Sequence, residues 1–229
     1  HVSPRPDGHA PRTFAALWRS VSRPQLRWVC LALLCVDFPQ NVGVSLIGPF
    51  LLDVGLTQPQ VGTVSGVLGL SAALGGAMVA GVVASRVPRA RALVGGALVQ
   101  LVPLALLGWR AESRPMPVAM AAVLVIATYA AAGAVNVILN AWLMDQTSPA
   151  QPTTDYAVMS AAHTATYVAA DPVAGALAGA LGFRHYFLGT SAAAVLGVAA
   201  TVWVIGHARR ATDASLDARP TAAPGCAHP

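Results

Sequence analysis

PVAMAAVLVIATYAAAGAVNVILNAWLM, residues 117–144, contains no charged side chain. It is longer than the ~20 apolar residues needed to cross the hydrocarbon of a bilayer. Five further segments of the same kind surround it, at 28–51, 60–85 and 90–109 before it and at 155–181 and 186–207 after it. Lettered A to F in chain order, with the opening stretch as D, they predict an all-α membrane protein of six transmembrane helices.

Composition supports lipid as the solvent. Only 10% of the 229 residues are charged, 55% are hydrophobic and the mean hydropathy is +0.61. A soluble domain carries about a quarter charged residues, and this chain has too few to cover itself. The net charge of +5 reflects topology, because all 14 basic residues are arginines gathered in the connecting segments. No basic stripe interleaved with aromatics marks a nucleic-acid face, so no nucleic-acid partner is expected. With six spans both termini share one side. That side holds Arg5, Arg12, Arg19, Arg23 and Arg27, then Arg86, Arg89 and Arg91, then Arg209, Arg210 and Arg219, whereas the other holds only Arg110, Arg114 and Arg184. The positive-inside rule puts both termini in the cytoplasm, in a cytoplasmic (inner) membrane.

The domain reading follows. Residues 1–27 form a cytoplasmic linker with a short interfacial helix at 14–21, 28–207 the transmembrane bundle, and 208–229 a disordered tail. The chain begins at His1 with a Pro- and Arg-rich stretch, as a piece of a longer protein would. Cys30, Cys35 and Cys226 fit neither a zinc site nor a disulfide framework. Gly62 and Gly66, Gly76 and Ala80, and Gly175 and Gly179 sit four apart, the spacing that lets helices approach closely in lipid.

Ionisable groups at membrane depth are costly, about 3 kcal/mol or more on insertion scales, and mark functional sites by default. Asp37 lies near the middle of segment A, with Gln40 and Asn41 on its face one turn on. Pro39 predicts a kink there. In segment E, His163, Tyr167 and Asp171 form one stripe at four-residue spacing, and Pro172 predicts an interruption. Discontinuous helices at the midplane hold substrate and ion sites in transporters. Segment D adds Asn136 and Asn140, with Tyr129 nearby. Each of these also has a structural reading, as a cap for freed backbone groups or as a hydrogen bond between helices. No Walker A, HExxH, GxSxG or dinucleotide motif occurs. No enzyme activity, cofactor or metal is therefore expected.

The stretch GVVASRVPRARAL at 81–93 is similar to the loop motif G-x-x-x-D-R-x-G-R-R of the major facilitator superfamily. Gly81, Arg86, Arg89 and Arg91 match or nearly match, while Ser85 stands at the motif's Asp and Pro88 at its second Gly. NVILNAWLMDQTSPAQPTTDYAVMSA at 136–161 and GALAGALGFRHYFL at 175–188 resemble helices 10 to 12 of the branch containing the muropeptide permease and the pyochelin and rhizobactin siderophore importers. The Thr154-Asp155-Tyr156 element is shared with that branch, and Thr154 and Asp155 are also good helix N-caps. The resemblance implies the C-terminal six-helix half of such a transporter, built as two inverted three-helix repeats. A missing N-terminal six-helix half would then face it across the path of a small-molecule substrate. The expected function is secondary active transport of a siderophore or peptide-like metabolite by alternating access, coupled to protons. Asp37 and Asp171 are the candidates for proton or substrate contacts. A non-transporting membrane assembly module, or an inactive truncated product, is the alternative.

Overall fold

The computed structural model describes residues 23–111, 116–149 and 151–217, and every regular element among them is helical. In hydrocarbon no water satisfies the backbone, so each apolar run closes its hydrogen bonds internally. Helix α1, Pro24–Ser45, begins with a proline where no intrahelical N–H bond is lost. Across the non-helical Leu46 (φ −103, ψ 16) it passes into α2, Ile47–Asp53. Helix α3, Gln58–Val61, opens with a capping box in which Thr57 N–H donates to Gln60 Oε1 at 2.8 Å. It runs through a π-helical stretch, Gly62–Gly69, into α4, Leu70–Arg86. Helices α5, Arg89–Arg110, and α6, Val118–Asp145, follow, and then α7, Pro152–Asp217.

Five helical stretches are long and apolar enough to cross a membrane: Leu26–Asp53, Gln58–Arg86, Arg89–Arg110, Val118–Asp145 and Pro152–Trp203. The expected segments E and F fall in the last of these. There Gly182, at φ 74 and ψ 162, is the non-helical residue at which two helical lengths meet in a kink. Helix assignment reaches Asp217, past the tail boundary expected at 207. The helix expected at 14–21 and the chain beyond 217 lie outside the described residues.

The predicted interruption at Pro172 is corrected, since helix continues through it, and Pro39 likewise lies inside helix and does not break α1. A proline forfeits the bond to the carbonyl four residues back, which for Pro39 is Cys35 O. That oxygen lies against Gly197, where a Cβ would stand 1.8 Å away. Tight packing by α7 covers the freed carbonyl and keeps the helix intact.

Helix α1 packs on α7, α4 on α6, and α5 on both α6 and α7. The α4–α6 contact is a reciprocal glycine pair. A Cβ at Gly76 would lie 1.9 Å from Ala130 O, and one at Gly133 would lie 2.1 Å from Ala73 O. Close backbone approach of this kind is how helices associate without a hydrophobic driving force. The other glycines singled out by spacing, Gly62, Gly66, Gly175 and Gly179, would meet nothing within 4 Å. Large apolar side chains face outward along one wall, among them Val67, Leu70, Leu74 and Met78. Such a surface suits acyl chains rather than water.

Inside, two apolar cores lie at different heights. One joins Phe50, Leu107, Val125 and Phe187, and the other joins Leu33, Leu93, Leu143 and Met159. Along α1, α5 and the first length of α7 a group of buried polar residues falls between these cores. Asp37, Gln40 and Asn41 lie between Leu33 and Phe50, Gln100 between Leu93 and Leu107, and His163 and Thr166 between Met159 and Phe187. These residues form a polar layer between the two apolar cores.

Candidate functional site

The polar layer surrounds a cavity of about 260 Å³, whose wall includes Asp37, Gln40 and Asn41 from α1, Gln100 from α5, Asn136 from α6, and Tyr167 and Asp171 from α7. Six of the eight residues named from sequence meet there, and the other two stand directly behind them.

Asp37 is buried, and a buried carboxylate requires partners. Three groups converge on its Oδ2. Asn41 Nδ2 donates at 2.9 Å, His163 Nδ1 lies at 2.8 Å, and Thr166 Oγ1 completes the set. With Asp37 ionised, the His163 nitrogen facing it is the protonated one. The Asn41 amide also donates to Thr166 Oγ1 at 3.0 Å. The Thr166 hydroxyl has a second acceptor in reach, His163 O at 2.7 Å. It therefore has alternative places to send one proton. His163 packs edge-on to Tyr167, with ring centroids 5.3 Å apart.

A second network ties α6 to the first length of α7. Asn136 Nδ2 donates to Tyr167 Oη at 3.3 Å, and Asn140 Nδ2 donates to Asn136 Oδ1 at 3.0 Å. Tyr156 Oη donates to Asn140 Oδ1 at 3.2 Å. Asn140 is thus a bracing residue one turn behind the cavity wall. Asp171 differs from Asp37, for it is exposed and has no hydrogen-bond or ion-pair partner among the described residues. The stripe of His163, Tyr167 and Asp171 is real as a helix face, with Tyr167 and Asp171 on the cavity wall and His163 behind it on Asp37.

Sequence reasoning missed Gln100, Thr166 and Tyr186. Tyr186 Oη donates to Val42 O, a carbonyl near the end of α1. A scan for ionisable groups passes over a lone glutamine or threonine in an apolar helix. Thr166 also lies three residues from His163 rather than four, off the stripe that drew notice.

At the end of the bundle bearing Arg23 and Arg89, Arg23 Nη1 meets the buried Asp155 Oδ2 at 3.0 Å, and Ser148 N–H donates to the same oxygen at 3.1 Å. Asp155 sits within the first turn of α7 rather than before it. Arg89 pairs with Asp145 and donates to Ala141 O at 3.1 Å. Of the other loop-motif residues, Arg86 and Arg91 make no hydrogen bond or ion pair among the described residues, and Gly81 faces open space.

Apolar spans, a lipid-suited exterior and a polar layer enclosing a cavity at mid-height define a multi-pass membrane protein. The family model described as "Major Facilitator Superfamily" matches residues 29–224. The chain belongs to that superfamily and is a secondary transporter of a small molecule, working in a lipid bilayer. No curated protein matches it.

Proposed function

We propose that the chain is a six-span half-transporter that moves a small peptide-like or siderophore-like solute across the cytoplasmic membrane by alternating access, driven by protons. The observation that carries this reading is the cavity, with Asp37 on one wall and Asp171 on another, between two apolar cores. A carboxylate held by a histidine and a hydroxyl with two acceptors is a suitable place to load and release a proton.

Six spans follow from treating α7 as two helices that meet at Gly182. A straight helix over the 52 residues Pro152–Trp203 would measure on the order of 80 Å, far more than the ~30 Å of hydrocarbon. Two inverted three-helix repeats are the arrangement this reading implies. Both termini face the cytoplasm on the arginine count. A second six-helix bundle, in the same or a separate polypeptide, would cover the face of α7 where Tyr167 and Val168 are 47% and 71% exposed beside Asp171.

Uptake into vesicles with an imposed pH gradient tests the proposal. Gradient-driven uptake is expected for the chain supplied with a second half. Asp37→Asn and Asp171→Asn should each reduce it at least tenfold while leaving the protein in the membrane. Unchanged uptake in both variants would remove these carboxylates from coupling.

A further inference from the structure

Asp37 has one oxygen to spare. Its side chain is only 7% exposed, and Asn41, His163 and Thr166 all converge on Oδ2. These contacts fix the carboxylate without using Oδ1. That second oxygen has no hydrogen-bond partner among the described residues and is not closed off by its neighbours. Because Asp37 lines the cavity, Oδ1 opens into it.

Asn41, one turn on and also buried, repeats the pattern. Its Nδ2 donates to Asp37 Oδ2 at 2.9 Å and to Thr166 Oγ1 at 3.0 Å. Those two bonds set the amide's orientation, because turning it over would put its oxygen against the carboxylate. Asn41 Oδ1 is therefore the atom left over. It too lacks a hydrogen-bond partner among the described residues and stays open at the cavity wall. Both spare atoms accept hydrogen bonds and neither can donate one. What completes them is a donor.

Charge points the same way. The wall carries Asp37 and Asp171 but no arginine, and the chain has no lysine. His163, behind the wall, faces Asp37 and offsets that carboxylate alone even when protonated. Asp171 stands eight residues beyond His163 on α7, about 12 Å along the axis, and has no hydrogen-bond or ion-pair partner among the described residues. An ionised Asp171 is thus unbalanced whatever the state of His163. Tyr129 and Tyr167 add to the wall aromatic rings of the kind that attract cations. At about 260 Å³ the cavity approaches the ~300 Å³ lower end of small-molecule sites. It has room for an organic cation rather than a metal ion alone.

We propose that the cavity binds a small organic ammonium whose N–H donates to Asp37 Oδ1, with Asn41 Oδ1 a second acceptor on the same face and Asp171 a more distant negative charge. This rests on the transport reading and adds the substrate's charge and donor character to it. The competing account is that water alone completes the two spare oxygens, which predicts no preference for charge.

Three compounds of similar shape separate these accounts: 3-methoxypropylamine, a cation at neutral pH; 3-methoxypropanol, its uncharged counterpart; and 3-methoxypropionate, an anion. Binding to the full purified chain is read by calorimetry or by ligand-dependent thermal stabilisation. The amine should bind about tenfold more tightly than the alcohol, and the anion more weakly than either. In Asp37→Asn the amine-to-alcohol ratio should fall toward one while alcohol affinity holds, and in Asp171→Asn it should fall by a smaller factor. Sodium added to a potassium buffer should leave amine binding unchanged. No binding of the amine, equal binding of amine and alcohol, or binding of the anion as tight as that of the amine would overturn the proposal without any variant. So would an unchanged ratio in folded Asp37→Asn, a larger fall in Asp171→Asn than in Asp37→Asn, or displacement of the amine by sodium, which would mark a metal-ion site. Uptake of the same compounds into vesicles is scored separately. Selective binding without uptake would fault the transport reading and leave the ammonium site standing, whereas uptake without selectivity would do the reverse.

Discussion

Two adjacent glycines in α4 should respond in opposite directions to the same substitution. Gly76 packs on the backbone of α6, where a Cβ would lie 1.9 Å from Ala130 O and 2.7 Å from Ala130 C. Ordinary contact begins at 3.4 Å, so Gly76→Ala requires the two helices to separate locally by about 1.5 Å. The obstructing atoms are main chain in both helices, and no rotamer change relieves them. Overpacking typically costs about 1–3 kcal/mol and occasionally more. Replacing a helical glycine by alanine returns about 1 kcal/mol of helix propensity. The net expectation is a loss of up to about 2 kcal/mol, and more where overpacking exceeds its usual range. Gly75 is the control, because its Cβ would meet nothing within 4 Å. Gly75→Ala keeps the propensity gain without the clash and should be neutral or stabilising by up to about 1 kcal/mol. Unfolding of both purified variants in detergent, followed by circular dichroism against heat or denaturant, reads the difference. Equal shifts for the two, or a larger loss for Gly75→Ala, would refute the helix register on which the α4–α6 contact is argued.

Other substitutions probe other parts of the bundle. Gly182→Ala places a side chain in a backbone region open essentially to glycine alone, and a loss of about 1–3 kcal/mol is expected in the same unfolding assay. Thr166→Val removes one of three groups on Asp37 Oδ2 and one partner of Asn41, and should lower stability by about 1–3 kcal/mol. Asp145→Asn should cost no more than about 1 kcal/mol, since its pair with Arg89 is exposed, whereas Asp155→Asn should cost more because Asp155 is buried and holds both Arg23 and Ser148 N–H.

What could be read from the sequence was whatever depends on solvent. Charge-free runs mark the spans whatever their neighbours, and a carboxylate in such a run stands out without a structure. Asp37, Gln40 and Asn41 were legible as one face because i to i+4 spacing survives in any helix. The destinations of His163, Tyr167 and Asp171 were not, because a stripe on one helix does not reveal which neighbour each member meets. Pro39 misled as a helix breaker because local propensity counts the lost hydrogen bond but not the packing of Gly197 over Cys35 O, and the continuation of the helix through Pro172 has no structural explanation. The interruption at Gly182 falls in the gap expected between segments E and F, whereas the one at Leu46 and the π-helical stretch Gly62–Gly69 were not legible. Gln100 left no trace because one uncharged polar residue is unremarkable until it is found buried beside a cavity.

Thiol labelling at mid-height tests most directly whether water reaches the polar layer from outside. In a chain with Cys30, Cys35 and Cys226 replaced by serine, a single cysteine is introduced either on the cavity wall, as Asn136→Cys, or on the apolar exterior, as Met78→Cys, where the native residue is 77% exposed on α4. A membrane-impermeant maleimide applied to intact membranes should modify the first and leave the second unreacted. A folded Asn136→Cys protein that resists the reagent from both sides of the membrane, or equal labelling at the two positions, would contradict a water-filled path between the helices.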